Sequence, residues 1–201
     1  MNILKSISNL TMFDSLQYRD FRMTWISNML SGCSYWTFSV GLSWLVLQET
    51  GNSANVGIVI FASMLPFLLV SPFAGYISDK YDRKSLALLM YIFNTIFCLI
   101  LFVSSILNFY PLLFIASIAF ILGVIRTFQE PTVSSLIPNQ VPKSNLLNAI
   151  TLNAASRHGS RFFGLLVVSP VIGLDILDGG QFLLLFSFCF QLSSTYFISR
   201  I

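Results

Sequence analysis

Four long stretches of the chain contain no charged residue, and this feature constrains the fold more than any other. Residues 23–48, 50–78, 85–125 and 179–199 carry no Asp, Glu, Lys or Arg. A helix needs roughly 20 apolar residues to cross a bilayer, so each stretch can hold at least one crossing. The 201-residue chain is 55% hydrophobic and only 9% charged, which leaves too little polar surface for a water-soluble domain. We therefore predict an integral membrane protein.

The spanning segments are predicted to be helices, which makes the fold class an all-α membrane protein. Backbone polar groups in lipid must be satisfied within the protein, and the charge-free stretches lack the alternation of polar and apolar residues found in barrel strands. The breaks between apolar segments predict a cytoplasmic amino-terminal segment over residues 1–21 and a six-helix transmembrane bundle over residues 22–201. The predicted helices cover residues 22–48, 54–77, 85–108, 112–137, 146–174 and 181–199.

The positions of the basic residues predict the orientation of these helices. If the amino terminus is cytoplasmic, the outer loops carry no basic residue, and Arg126, Arg157 and Arg161 lie within predicted spans. The other eight of the eleven basic residues then lie on the inner side: Lys5, Arg19, Arg22, Lys80, Arg83, Lys84, Lys143 and Arg200. This positive-inside pattern predicts that both termini are cytoplasmic. The even number of spans is also consistent with two three-helix repeats of inverted topology.

The predicted turn between the second and third helices has an unusual concentration of charge. The segment Gly-Tyr-Ile-Ser-Asp-Lys-Tyr-Asp-Arg-Lys, residues 75–84, combines a small residue, two acids and three bases. An ordinary positive-inside loop accounts for the bases but not for Asp79. The segment resembles the signature Gly-x-x-x-Asp-Arg/Lys-x-Gly/Asp-Arg-Arg/Lys of major facilitator superfamily transporters. The matching positions are Gly75 for close packing, Asp79 for the acid, Asp82 where Gly is commonest, and Lys80, Arg83 and Lys84 for the bases.

This resemblance implies a fold and a function. In that superfamily the loop secures the cytoplasmic gate to the carboxy-terminal half in the outward-facing state. The chain is similar from Tyr18 to Ala149 to the branch that contains enterobactin exporters, macrolide-efflux proteins and transmembrane secretion effectors. The resemblance implies one half of a major facilitator fold, in a secondary transporter of the bacterial inner (plasma) membrane. The expected activity is proton-coupled efflux of small amphipathic molecules such as drugs or siderophores.

The expected partners are the lipid bilayer, a small-molecule substrate, and either a missing carboxy-terminal six-helix half or a second copy. Because alternating access in the superfamily rocks two six-helix halves around a midplane site, a chain that ends after one half leaves an alternative. In that alternative the chain is a truncated or pairing-dependent six-helix protein without independent transport activity.

Charges inside the fourth predicted helix are candidates for coupling or for lining a pore. Arg126-Thr-Phe-Gln129-Glu130 resembles the superfamily's Arg-x-x-Gln-Gly element, with Glu130 where Gly is usual. A charge at bilayer depth costs about 2.5–3.5 kcal/mol on insertion scales, so it normally faces the bundle interior and has a partner. One interpretation is an i, i+4 ion pair near the cytoplasmic end, positioned by Pro131. The other makes Glu130 a titratable proton site, and the sequence leaves both open.

The fifth predicted helix carries Arg157 and Arg161 at i, i+4 spacing. Two arginines on one face should repel unless an anion or an acid lies between them. Arg161-Phe-Phe-Gly164 resembles an Arg-x-x-Gly-Pro element, but Leu165 replaces the Pro, which weakens the expectation of export. Arg161 either faces the pore or extends to the membrane surface at the cytoplasmic end.

Other polar residues of the spans support no catalytic chemistry. No nucleophile constellation, metal-ligand spacing or phosphate-binding glycine loop is present in the sequence, so we predict no enzymatic activity, no cofactor and no metal. The three cysteines lie in apolar stretches, as small hydrophobic residues do. The net charge of +3 follows the positive-inside pattern and gives no indication of nucleic acid. Candidates for a cavity lining, or alternatively for interhelical hydrogen bonds, are Asn28, Ser34, Gln48, Asn94, Asn153 and Gln191.

Overall fold

A computed structural model describes residues 11–173 and 179–201, with the backbone alone described at residues 11, 12, 76–79, 172 and 173. Within these residues the structure is all-helical. Short 3-10 helices cover Thr11–Gln17 and Lys143–Asn145. The long helices are α1 (Arg19–Thr50), α2 (Ser53–Lys80), α3 (Arg83–Ile106), α4 (Leu112–Gln140), α5 (Leu146–Gly173) and α6 (Gly179–Ile198).

These helices differ from the predicted ones mainly at their ends. Helix α1 begins at Arg19, inside the segment predicted to remain outside the bundle up to residue 21, and residues 1–10 of that segment lie outside the described residues. Helix α2 continues to Lys80, and α4 continues through Pro138 to Gln140. Proline usually ends a helix in water, but a spanning segment has no other way to satisfy its backbone, so the helix continues around it.

Four helices of the described chain are long and apolar enough to cross a membrane, by length and composition. They are Ser53–Gly75 within α2, Arg83–Ile106, Leu112–Gln140 and Gly179–Ile198. Helices α1 and α5 are also long, with 32 and 28 residues, but are more polar along their length. In α1 much of this polarity is buried inside the bundle, at Ser27, Ser31, Ser34 and Thr37.

The helices pack as two connected groups. Helix α1 packs most extensively against α6 and α5, whereas α4 packs most extensively against α2 and α3, and α3 also packs against α6. The main apolar core lies where α1, α3, α4 and α6 meet, with buried side chains that include Phe38, Leu42, Leu101, Ile118 and Leu122. This core adjoins the polar residues described below, because Phe38 and Leu122 line one cavity with Ser31.

The 3-10 helix at the start of the described chain is fastened to the bundle. Ser15 Oγ donates to Asn148 Oδ1 at 2.6 Å, at the start of α5. Trp25 Nε1 donates to the carbonyl oxygen of Leu152 at 3.1 Å, which joins α1 to the same part of α5. A cluster of buried apolar side chains fills the space between these contacts: Phe21, Ile137, Val141, Ala149 and Leu152. Side-chain packing therefore closes this end of the bundle between α1, α4 and α5.

Candidate functional site

Two reciprocal serine pairs join α1 to α6. Ser27 Oγ donates to the carbonyl oxygen of Ser194 at 2.8 Å, and Ser194 Oγ donates back to the carbonyl oxygen of Ser27 at 2.6 Å. Ser34 and Ser187 exchange the same two bonds at 2.7 and 3.0 Å. All four side chains are buried. Because hydrogen bonds between helices depend on their register, these pairs fix the position of α1 along α6. The two helices form one side of the site.

Between the two serine pairs, a chain of polar side chains links four helices. Ser31 Oγ of α1 donates to Gln191 Oε1 of α6 at 3.1 Å and accepts a hydrogen bond from Gln129 Nε2 of α4 at 3.0 Å. Asn94 Nδ2 of α3 donates to Gln129 Oε1 at 3.3 Å. The amide nitrogen of Gln191 is buried and has no hydrogen-bond partner among the described residues. A polar network thus lies inside an otherwise apolar core.

Five of the six polar candidates from the sequence make hydrogen bonds between helices. Ser34, Asn94 and Gln191 make the bonds given above, and Asn28 Nδ2 donates to Asn153 Oδ1 at 2.8 Å between α1 and α5. The sixth candidate, Gln48, is exposed near the end of α1. The sequence alone did not indicate a role for Ser31, and Gln129 stood out only as part of a motif. The signal for both was their position, since Ser31 lies between Ser27 and Ser34 on one helix face and Gln129 precedes Glu130.

Arg126 and Glu130 form an ion pair on α4. Arg126 Nη2 lies 3.2 Å from Glu130 Oε1, and the two side chains are 32% and 37% exposed. Arg126 Cζ also lies 3.6 Å from the centroid of the Tyr35 ring of α1. The i, i+4 pairing agrees with one of the two interpretations of the sequence, and its place near the cytoplasmic end stays a prediction. Arg126 is the central residue of α4, about 21 Å from either end at a rise of 1.5 Å per residue.

Cavities with different linings adjoin this ion pair. A polar pocket of about 30 Å³ between α1, α4 and α5 is lined by Asn28, Ser31, Gly32, Arg126, Gln129, Glu130, Arg157 and Ser160. A larger, mainly apolar cavity of about 250 Å³ is lined by Tyr35, Ser63, Met64, Phe67, Gly123, Arg126, Thr127 and Glu130. A third cavity of about 20 Å³, room for one water molecule, adjoins Arg126 and Gln191. The ion pair therefore separates the polar pocket from the apolar cavity.

The two arginines of α5 make different contacts, although the sequence placed them on one helix face. Arg157 lines the polar pocket with Arg126 and Glu130. Arg161 lies over the Trp36 ring of α1, with Cζ 4.2 Å from the ring centroid. Cation–π contact stabilises a guanidinium without an acid, so the Trp36 ring serves as a partner for Arg161. Arg126, Glu130 and Arg157 are thus brought together, whereas Arg161 has a separate partner.

Most of the charged signature between α2 and α3 is helical. The helix continues through Lys80 and α3 begins at Arg83, so the predicted tight turn consists only of Tyr81 and Asp82. Asp82 caps α3, because the Ser85 backbone N–H donates to Asp82 Oδ2 at 2.8 Å. Hydrogen bonds from the hydroxyl and amide of Ser85 hold the pKa of Asp82 below its ordinary value of 3.8. Asp82 therefore has a role within its own helix.

The remaining signature residues divide between contacts within the chain and exposed positions. Arg83 Nη1 donates to the carbonyl oxygen of Ser135 at 3.1 Å and so connects α3 to α4. Lys80 and Lys84 are exposed. A Cβ atom on Gly75 would meet nothing within 4 Å in the described part of the chain, and the close packing that the resemblance implied stays a prediction. The side chain of Asp79 lies outside the described residues.

Among the residues that the structure describes, no group of three or more His, Cys, Asp or Glu side chains is arranged to hold a metal ion. The three cysteines are free thiols, with Cys33 and Cys98 buried and Cys189 exposed. The chemistry of the site therefore comes from one carboxylate, two guanidinium groups and the neutral amides and hydroxyls around them.

Comparison with known proteins identifies the family. Residues 10–173 match the transmembrane secretion effector family. A protein named Staphyloferrin A transporter, from Staphylococcus aureus strain NCTC 8325, is 26% identical over 132 residues. That match covers 64% of this chain and 32% of the relative, so the chain spans about a third of the length of this relative. No solved structure matches the chain.

The matched family is described as a transmembrane secretion effector family and the relative as a transporter, and the apolar helices support a multi-pass protein of the bacterial plasma membrane. The match covers most of the chain, from the first 3-10 helix to the end of α5. The chain therefore belongs to the transmembrane secretion effector family of major facilitator superfamily transporters.

Proposed function

We propose that the chain forms the amino-terminal six-helix half of a secondary active transporter whose substrate pathway passes the Arg126–Glu130 pair. The observation that carries this proposal is the position of the pair, at the centre of α4 and between the polar pocket and the apolar cavity. Charges at this depth mark substrate or ion pathways in membrane proteins. Ligand sites likewise combine apolar walls with a few polar groups that fix orientation.

In this proposal α1 and α5 also cross the membrane, which raises the number of spans from four to six. With 32 and 28 residues they would be about 48 and 42 Å long, more than the roughly 30 Å of a hydrocarbon core. The packing supports two inverted three-helix repeats, since α1 packs on α5 and α6 as α4 packs on α2 and α3. A repeat that relates α1 to α4, α2 to α5 and α3 to α6 converts the contacts of α1 into the contacts of α4. Both termini would be cytoplasmic, as the basic residues indicate.

The proposed activity is efflux of small amphipathic molecules, drugs or siderophores, in exchange for protons. The relative named Staphyloferrin A transporter supports a siderophore as one candidate substrate. Glu130 is the candidate proton site, because among the described residues it is the only carboxylate that lines the polar pocket and the apolar cavity. Arg126 would hold it while it is charged. Lys80 and Lys84 are exposed and so remain free to contact a carboxy-terminal half at the cytoplasmic gate.

An alternative follows from the share of the relative that is matched, which is 32%. The chain would then be a six-helix protein that transports only when it pairs with a second half or a second copy, or does not transport at all. Helix α2 has the exposed apolar surface that either lipid or a second half could cover, with Phe61, Phe67, Leu68 and Phe73 each more than 60% exposed.

Transport assays in proteoliposomes test the proposal. The chain is reconstituted alone and together with a carboxy-terminal half from a family member, and movement of ethidium and of staphyloferrin A is followed under an imposed pH gradient. We expect movement driven by the gradient, and we expect Glu130→Gln to abolish its dependence on pH. Glu49→Gln is the matched control, because it removes an exposed acid at the end of α1.

The outcomes separate the alternatives. Movement only in the presence of the second half would support the pairing-dependent form, and no movement in either arrangement would refute transport by this chain. If Glu130→Gln retained the rate and the pH dependence of the wild type, proton coupling through Glu130 would have to be abandoned.

A further inference from the structure

We infer that the site selects amphipathic ligands that carry a carboxylate, or another small anionic group, over neutral ligands of the same shape. The inference rests on the proposed function for its premise that this site meets the substrate. It starts from the charges that line the polar pocket. Arg126 and Arg157 contribute two positive charges and Glu130 contributes one negative charge, so the lining has an excess of positive charge.

Arg157 is the group of the pocket that is open to a ligand, because its side chain is exposed. Glu130 lies 3.2 Å from Arg126, and among the described side chains none accepts a hydrogen bond from the Arg157 guanidinium or forms an ion pair with it. Arg157 is the twelfth residue of α5, roughly 17 Å from the start of that helix, where an unpaired charge is costly if α5 spans the membrane. A guanidinium group presents a planar fork of donors that matches a carboxylate.

The neutral groups of the pocket are already used elsewhere. Asn28 Nδ2 donates to Asn153 Oδ1 at 2.8 Å. Gln129 bonds to both Ser31 and Asn94, and Ser160 Oγ donates to the carbonyl oxygen of Arg157 in its own helix at 2.8 Å. None of these bonds involves the Arg157 guanidinium, which is therefore available to a ligand. The pocket of about 30 Å³ has room for a small polar group.

The rest of such a ligand would be apolar. The apolar cavity of about 250 Å³ shares Arg126 and Glu130 with the polar pocket, and its other walls include Tyr35, Met64 and Phe67. An aromatic or aliphatic body would therefore lie beside the ion pair while its carboxylate lies between the two arginines. Glu130 carries the same charge as this carboxylate and competes with it for Arg126. Removal of the Glu130 charge should therefore strengthen binding of the anion.

Calorimetric titration of the purified chain in nanodiscs tests the inference with two probes of the same shape, 2-naphthoate and the neutral 2-naphthamide. We expect naphthoate to bind more tightly by a factor on the order of ten. Arg157→Gln should remove that preference and leave naphthamide binding unchanged, whereas Glu130→Gln should increase it. Arg157→Lys keeps the charge and should retain part of the preference. Lys143→Gln removes one exposed positive charge far from the pocket and should leave both affinities unchanged.

Equal affinities for the two probes, no binding of naphthoate, or equal effects of Arg157→Gln and Lys143→Gln would overturn the inference. Thermal unfolding of each variant shows whether a loss of binding reflects a loss of fold. The titration involves no transport, so its result is distinguishable from that of the proteoliposome assay. Charge-selective binding without transport would overturn only the proposed function, and transport without charge selectivity would overturn only the present inference.

Discussion

The contact between α2 and α4 depends on the absence of a side chain at Gly123. A Cβ atom at this position would lie 2.2 Å from the backbone carbonyl oxygen of Ser63 and 3.1 Å from Cγ of Pro66. Carbon and oxygen atoms in contact lie roughly 3.3–3.6 Å apart, so the Gly123→Ala variant must separate the two helices by about 1 Å. The carbonyl oxygen belongs to the backbone and cannot rotate away as a side chain could.

The expected loss of stability follows from two opposing terms. Forcing a methyl group into a packed contact costs about 1–3 kcal/mol, and a backbone contact this short lies at the upper end. Alanine has a better helix propensity than glycine, which offsets up to about 1 kcal/mol. We therefore expect Gly123→Ala to destabilise the protein by about 2 kcal/mol.

A matched control lies in α5. A Cβ atom on Gly159 would meet nothing within 4 Å in the described part of the chain, so Gly159→Ala changes helix propensity alone. We expect that variant to be more stable than the wild type by about 0.5–1 kcal/mol. SDS-induced unfolding in mixed micelles measures both free energies. If Gly123→Ala were as stable as Gly159→Ala, close approach at Gly123 could not be what joins α2 to α4.

Two further predictions concern the hydrogen-bonded contact between α1 and α6 and the start of α3. The double variant Ser27→Ala/Ser194→Ala removes the two reciprocal hydrogen bonds of 2.8 and 2.6 Å. We expect it to lower the free energy of unfolding by about 1–2 kcal/mol in the same assay, since interhelical hydrogen bonds in membranes average about 0.6 kcal/mol and reach about 1.7. A loss smaller than about 0.5 kcal/mol would contradict this expectation. The pKa of Asp82 is lowered in the folded state, so its cap contributes fully above the ordinary value of 3.8 and is lost as pH falls through the lowered value. Asp82→Asn retains a side-chain oxygen that accepts the same hydrogen bond but cannot titrate, so its stability relative to the wild type should rise on acidification. Thermal unfolding between about pH 6 and pH 3 measures this difference in stability. A difference that stays constant with pH would contradict the role of Asp82 as a cap.

The class of fold was predictable because it depends on composition summed over whole segments. A charge-free stretch of twenty or more residues is a strong signal whatever its exact sequence, and it indicates a membrane helix. Helix ends depend on fewer residues, and the rules for them come from helices in water. Pro138 illustrates the difference, since α4 continues past it to Gln140.

The candidate site was predictable only where the contact lies within one helix. The spacing of Arg126 and Glu130 predicts their ion pair because four residues make one turn. The same spacing in Arg157 and Arg161 gave no information about neighbouring helices. Arg161 has the Trp36 ring of α1 beside it and Arg157 lines the polar pocket, so the two arginines have different surroundings.

The contact between α1 and α6 depends on a spacing of polar residues that is present in the sequence but cannot be recognised from the sequence alone. Residues 27, 31 and 34 of α1 and residues 187, 191 and 194 of α6 repeat the same i, i+4, i+7 spacing, and antiparallel alignment places each beside its hydrogen-bond partner. The pattern becomes readable only when the two helices are known to be neighbours. The site thus has one wall fixed by directional hydrogen bonds and another, at Gly123, fixed by shape. Because Met64 and Phe67 of α2 and Thr127 of α4 line the apolar cavity, the separation of these two helices sets its width.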